Sequence, residues 1–499
     1  MLGRSRAAVL FALIVVAGAC APMHEAASDL HAGSDIDLTT VEGLGSLDFP
    51  NSGTADAQAA FLRGVLLLHS FEYEPAAQAF QEAQAADPDF GLAYWGEAMT
   101  YNHPLWQDKD VEAAQAALAK YAPSAAERRD RAPTDRERMY FDAVEALYGA
   151  GDKNEQDLAY MGAMETLSEA YPDDHEARAF HALSILGSVD GSRDFATYMR
   201  GAARAQPVFD ANPDHPGAAH YLIHSFDDPV HAPLGLHAAR LYSEIAPGAA
   251  HAQHMTTHIF VALGMWDDVV SGNIRARDVQ DGQRANLDRP PNVCGHYSSW
   301  LHYGHLMLGD SAEAEQLMDE CHAGVEAGHA SHFYFAAMRA RHILDSEDWS
   351  LAERWPADLR DGDDFWQRAA VIDSFTNAFA ALRSGDPQPA RDFVNTHGTS
   401  DDQQLLVHAL ELSGMLAVHA GQADQGIALL REAAALEDSL PFEFGPPTIV
   451  KPSFELLGEE LLALERFDEA RAAFRRATER TPGRTLAERG LRESTASGG

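Results

Sequence analysis

Apolar and small residues recur along most of this chain at helical spacing, in blocks of ten to twenty separated by short breaks rich in Gly, Pro and Asp. Alternation of period two, flanked by hairpin turns, is absent, so strands are not expected. The blocks repeat. Gly64 is followed by Ala76, Phe80, Ala83 and Pro88, and near the other end Gly458 is followed by Ala470, Phe474, Ala477 and Pro482. Both runs share the offsets +12, +16, +19 and +24. The pattern predicts pairs of antiparallel helices, A and B. Small residues let A and B approach closely, Phe fills the space towards the next pair, and Pro ends helix B because it cannot continue a helix.

This is the skeleton of a 34-residue tetratricopeptide repeat. Weaker copies lie between the two clear ones. Ala93-Tyr94-Trp95-Gly96 follows Pro88, Thr134-Asp135-Arg136-Glu137 reads as a capping box, and Pro172, Pro213, Pro247 and Gly264 mark further turns. The stretch from about Trp349 to Asp364 is the least regular and is expected to hold a long turn. The predicted fold is all-α: a tetratricopeptide-like, right-handed α-α superhelical solenoid of nine to eleven helix pairs over residues 51–495.

The first fifty residues do not belong to this pattern. Arg4 and Arg6, the apolar run Ala7–Val16 and the small residues Ala17-Gly18-Ala19 read as an export signal over 1–19. Cys20 follows directly, so Ala17-Gly18-Ala19-Cys20 resembles a bacterial lipobox, with Ala17 where Leu is usual. Cys20 is therefore the expected lipidation site, and 20–50 the expected tether. Ala21 after the Cys goes with sorting to the outer membrane, facing the periplasm. The membrane is reached through this lipid alone.

At 499 residues the chain exceeds one compact core, which a repeat array accommodates. A net charge of -39 argues against nucleic acid, whose phosphates need clustered Lys and Arg. Cys294 and Cys321 are the other two cysteines; antiparallel helices bring their ends together, so a disulfide is a candidate, and no CxxC motif exists.

Histidine is the unusual feature. Of 24, eight fall in the 44 residues from His215 to His258. With Pro247 as position 32 of one repeat, His220 and His224 occupy positions 5 and 9. In the next repeat His254 and His258 occupy the same positions, and His251 holds position 2. His296 holds position 2 of the following repeat if Gly309 marks its turn. Positions 2, 5 and 9 of helix A usually face the concave groove, where Trp95 also falls at position 5 of its own repeat. Residues four apart lie on one helix face, about 6 Å apart, and neighbouring helices lie about 8–10 Å apart. His220, His224, His254 and His258 are therefore expected to point into one volume. They are candidate ligands for a divalent transition metal, with Zn, Cu, Ni and Fe all suited to imidazole. The alternatives are a satisfied polar filler and a metal-free polar or catalytic site. Asp227-Asp228-Pro229 is either the turn that starts a helix B or a source of carboxylates near the first histidine helix. No serine nucleophile elbow, Walker loop, dinucleotide fingerprint or His-Glu-x-x-His is present.

His215-Pro216-Gly217-Ala218-Ala219-His220-Tyr221-Leu222-Ile223-His224, and Ala246-Pro247-Gly248 through His258-Ile259-Phe260, resemble a widespread family of bacterial tetratricopeptide-repeat proteins. Ala93–Ala98 and Glu432–Leu461 resemble it too, so the likeness runs from about 55 to 480. Members usually carry Pro-Ser before the last His of the second segment. Thr256-Thr257 stands there, so the helix start is expected to differ. The resemblance implies the fold and no settled activity. Two functions remain open. One is an envelope scaffold whose histidine-lined groove holds a protein, peptide or small polar ligand. The other is a metal-binding protein or metal-dependent enzyme.

Overall fold

The computed structural model describes residues 43–190, 193–356, 359 and 364–497. The export signal and Cys20 lie outside them. Among the described residues, twenty-three α-helices run between Ala55 and Ser497, and the only strands are the two-residue pair Asn102–His103 and Asp108–Lys109. Consecutive helices pack as antiparallel hairpins, and alternate helices stack on one another, so the chain is an all-α tetratricopeptide-like solenoid.

The Gly–Phe–Gly packing shows why the repeat is written as it is. The Phe80 ring lies between helix Ala55–His69 of its own hairpin and helix Gly91–Met99 of the next. A Cβ on Gly64 would fall 2.8 Å from Phe80 Cε1, and one on Gly96 2.3 Å from it. The other clear repeat is built alike: the added Cβ atoms would fall 2.7 Å from the Phe474 ring at Gly458 and 2.2 Å at Gly490. Each ring thus seals two interfaces that only glycine leaves room for.

Residues 43–50, expected above as the end of the tether, are part of the solenoid. Ser46 N–H donates to Asp214 O (2.9 Å), Gly248 N–H donates to Gly43 O (3.3 Å), and Phe49 is buried against Phe61, Trp95 and Tyr140. The capping box at Thr134 also changes role. Thr134 Oγ1 accepts from Glu137 N–H, but the Glu137 carboxylate turns away to Ser52, whose N–H and hydroxyl both donate to it. An apolar Phe49 and a carboxylate partner outweigh the small, polar composition that suggested a tether.

The superhelix curves tightly enough for distant repeats to meet. Helix Ala55–His69 touches helix Pro216–Phe226. The C-terminal part folds back likewise: Trp266 Nε1–H donates to Gly483 O (2.7 Å), and Phe444 and Gly445 reach the rings of His258 and Trp300. Cys294 and Cys321 form a disulfide, with Cα atoms 4.6 Å apart. It ties the start of helix His296–Leu308 to the late part of helix Ser311–Glu326.

Candidate metal centre

Three A helices carry the site: Pro216–Phe226, Ala250–Ala262 and His296–Leu308. The first starts with Pro216 at its first turn, capped by His215, whose Nδ1 accepts from Ala218 N–H (3.1 Å). The second follows the Pro247-Gly248 turn. The third ends at Gly309, whose φ of 79° supplies the left-handed cap that position requires. The second helix runs unbroken through Thr256-Thr257 from its start at Ala250. Their hydroxyls donate to the carbonyls of Gln253 (3.0 Å) and His254 (2.7 Å), which keeps both satisfied inside the helix.

The four histidines of positions 5 and 9 do not form one cluster. They divide into two triads, each completed by the position-2 histidine of the next repeat: His220, His224 and His251, and His254, His258 and His296. Within each triad the candidate ligand atoms lie within 4.8 Å of one another. The pairs are split because residues four apart on one helix are nearer to each other than to the equivalent pair one repeat on. The rings of His224 and His258 stand 5.9 Å apart between centroids, whereas those of His254 and His258 stand 4.9 Å apart. Nor do positions 5 and 9 line an open groove. His220, His224, His254 and His258 are buried, and only the position-2 residues His251 and His296 are half-buried and reach solvent. Trp95 is not a groove residue either: it is fully buried among Phe49, Tyr140 and Phe180.

Hydrogen-bond partners fix the tautomers in the second triad. His254 Nδ1–H donates to Asn273 Oδ1 (2.8 Å), and the Asn273 amide is oriented because its Nδ2–H donates to Val269 O (2.9 Å). His258 Nδ1–H donates to Asp227 Oδ2 (2.5 Å). With both Nδ1 atoms protonated, a neutral ring has no proton on Nε2. Yet His254 Nε2 and His258 Nε2 face each other at 3.0 Å. Two lone pairs at that distance repel, so either a cation stands between them or His258, paired with Asp227, carries a second proton on Nε2 and donates it to His254. A tetrahedral ion with bonds of about 2.0–2.1 Å sets its nitrogen ligands about 3.3–3.4 Å apart, close to the observed gap. Asp227 is buried, and its second oxygen, Oδ1, has no hydrogen-bond partner among the described residues. Its one ionic partner among the described residues is the His258 ring. Trp300 (4.4 Å between centroids) and Phe444 (5.2 Å) wall the His258 ring.

In the first triad His220 Nδ1–H donates to the carbonyl of His69 (2.7 Å), which lies at the C-terminal end of its helix. His220 Nε2 then carries one lone pair, faced by His224 Nε2 at 3.0 Å and His251 Nε2 at 3.2 Å. Phe71, a non-glycine residue held at φ 56°, places its ring 4.3 Å from that of His220, and Trp106 covers His251. Glu72 accepts from His251 N–H (3.2 Å), and burial pushes its carboxyl up to about 7.

Burial, followed by neighbouring imidazoles, lowers the basicity of these rings. His224, His251 and His254 lie well below the usual histidine range, and His296 falls to about 3. His220 also falls to about 3, chiefly through burial. These five are neutral at neutral pH, the form that binds metal.

A third cluster is a contrast. His69 Nε2 and His215 Nε2 sit 2.8 and 3.0 Å from the two oxygens of Glu176, His69 Nδ1 pairs with the Tyr221 hydroxyl (2.8 Å), and His215 Nδ1 serves the helix cap. Ordinary neutral tautomers satisfy every one of these contacts, so it is a complete buried network that positions the first histidine helix.

Asp227 carried a sequence signal, as a carboxylate near the end of the first histidine helix, but its partner proved to be a histidine one repeat later. Asn273, Phe71, Glu72 and Phe444 had none: Asn273 comes from helix Trp266–Asn286 of the same hairpin, Phe71 and Glu72 from the first hairpin, and Phe444 from the turn at 440–452.

No family model matches the chain, and no curated protein matches it. Solved structures of helical-repeat proteins do. Yeast Tom70 is 10% identical with a TM-score of 0.32, over 89% of this chain and 95% of that one. Cut9, in the APC/C hetero-tetramer Cut9-Hcn1, is 11% identical with a TM-score of 0.34, over 90% and 78%. Human IFIT1, in its dimer with m7Gppp-AAAA, is 12% identical with a TM-score of 0.36, over 89% and 91%. Nothing about ligands passes from those proteins to this chain.

Proposed function

We propose that this solenoid is a metal-binding protein, with a divalent transition ion held by His254, His258 and His296. The observation that supports it is the pair of facing Nε2 atoms, 3.0 Å apart, on two rings whose Nδ1–H groups are both already donated to Asn273 and Asp227. An all-imidazole donor set suits Zn, Cu, Ni or Fe and disfavours Mg and Ca, which take oxygen ligands. Three protein ligands leave one position open, as in catalytic rather than structural zinc sites. His296 is the half-buried member, so that position faces the concave side, where a small polar ligand or a water completes the shell. The binding-scaffold reading thereby becomes a narrower one, in which the groove ligand meets the ion.

The location belongs to the same proposal: lipid on Cys20 would hold the solenoid at the outer membrane. Mass spectrometry of the N-terminal peptide tests that part, with an unmodified Cys20 overturning it.

Elemental analysis of the full chain, purified without a histidine tag, tests the metal. The expected result is that wild type binds one more ion per chain than His254→Ala/His258→Ala, with helicity kept. No ion after exposure to Zn(II), Cu(II), Ni(II) and Fe(II) would mean that a shared proton bridges the two rings and that the metal reading is wrong.

A further inference from the structure

We propose that the chain holds a second metal ion, at His220, His224 and His251, one repeat before the first. This rests on the metal reading above and extends it from one centre to two.

The two triads are the same construction. Each takes positions 5 and 9 of one repeat and position 2 of the next, and each of its members stands 34 residues or one helix register from its counterpart, except that the His251–His296 step spans the longer helix Trp266–Asn286. Each pairs an i, i+4 couple at 3.0 Å with a half-buried third ring. In the first triad the His220 ring is locked by its bond to the His69 carbonyl, so its single Nε2 lone pair is the only acceptor for two facing nitrogens. One lone pair cannot satisfy both within the plane of the ring, and a proton shared with His224 leaves His251 unserved. An ion at the centre uses all three lone pairs at once. The cluster of His69, Glu176 and His215, by contrast, gives each ring nitrogen a partner of its own. In the first triad three Nε2 atoms converge on one another instead.

The two centres differ in what stands behind their ligands. His258 is backed by the Asp227 carboxylate, whereas His220 is backed by a neutral carbonyl. A carboxylate behind a ligating imidazole raises its basicity, and loss of such partners typically weakens binding 10–100-fold. The first triad is therefore the weaker centre by about that factor. Its donors are imidazoles alone, so its ion is of the same class, Zn(II) or a copper ion ahead of Mn(II) or Mg(II).

The test is titration of the metal-free full chain with Zn(II) against a chromophoric chelator, with elemental analysis of the saturated protein. Wild type should take two ions in two steps separated about 10–100-fold. His251→Ala should lose the weak step, and His296→Ala the tight one, each keeping the other. Both residues are half-buried position-2 side chains, so folding is expected to survive. If a variant does not fold, the wild-type stoichiometry still decides. One ion in wild type, kept in His251→Ala and lost in His296→Ala, overturns the second centre and leaves the first. One ion lost in His251→Ala and kept in His296→Ala overturns the reading of the first centre instead. No ion overturns both.

Discussion

Replacing Asp227 with Asn should weaken the tighter centre about 10–100-fold, or about 1.4–2.7 kcal/mol, without unfolding the protein. Asn keeps an acceptor oxygen for His258 Nδ1–H and removes only the charge. That oxygen is 2.5 Å from Nδ1 in the native chain. The imidazole and a metal–nitrogen bond of about 2.0–2.1 Å then place it about 6–7 Å from the ion. Coulomb attraction between a doubly charged cation and one carboxylate at that distance is about 5 kcal/mol at an effective dielectric of about 20. This is a ceiling, since the amide dipole still favours the cation and the native carboxylate gives up solvation to be buried. The smaller 10–100-fold range is what remains. Competitive Zn(II) titration of metal-free wild type and Asp227→Asn measures it, with far-ultraviolet circular dichroism as the check on folding. The weak step, at His220, His224 and His251, should not move, which makes it an internal control. Equal affinities for the tight step in the two folded proteins would refute the claim that Asp227 acts through His258 on a bound cation. A matching loss in both steps would show that the substitution disturbs the solenoid rather than the centre.

Three further outcomes follow from the packing. Gly96→Ala should destabilise the chain by about 1–3 kcal/mol in urea denaturation, because its Cβ would lie 2.3 Å from the Phe80 ring and neither neighbour has room to yield; an unchanged midpoint would show that the hairpins separate easily. Opening the Cys294–Cys321 disulfide by Cys→Ser at both positions should cost about 3–4 kcal/mol for a sequence separation of 27, read as a fall in the melting temperature of the oxidised protein to that of the reduced one. The metal-free protein should lose stability on acidification. Burial holds His181 and His342 at about 4, so the unfolded chain binds their protons first as pH falls below about 6.5. Stability is then full above that pH and declines through pH 5 by about 1–2 kcal/mol for each of these two groups, and a urea midpoint that is flat from pH 7.5 to 5 would contradict it.

The fold was legible because its causes are local. The offsets from Gly64 to Pro88 and from Gly458 to Pro482 encode which faces of two helices meet and where the second ends, and the ring of Phe80 or Phe474 sits where those offsets require. The positions of the site histidines were legible for the same reason, since a residue's place in a 34-residue register fixes its face. The end of the tether was misjudged because composition says nothing about a single Phe49 slotted between Phe61, Trp95 and Tyr140. Trp95 was assigned to the groove because position 5 faces inward, but the packed segment that covers it begins before the repeats.

The sequence by itself thus determined the helices, their repeat and the list of histidines on the inner faces. Only the tertiary structure decided how those histidines are shared out. A register specifies direction around one helix, not the distance to the next repeat. That distance comes from side-chain volumes along every interface and from the curvature they add up to. It is this curvature that brings the His69 carbonyl and Phe71 from the first hairpin against helix Pro216–Phe226, Glu72 against helix Ala250–Ala262, and Phe444 against His258 from the far end. It also sets neighbouring pairs far enough apart that four histidines at equivalent positions become halves of two triads, each closed by a residue from the following repeat.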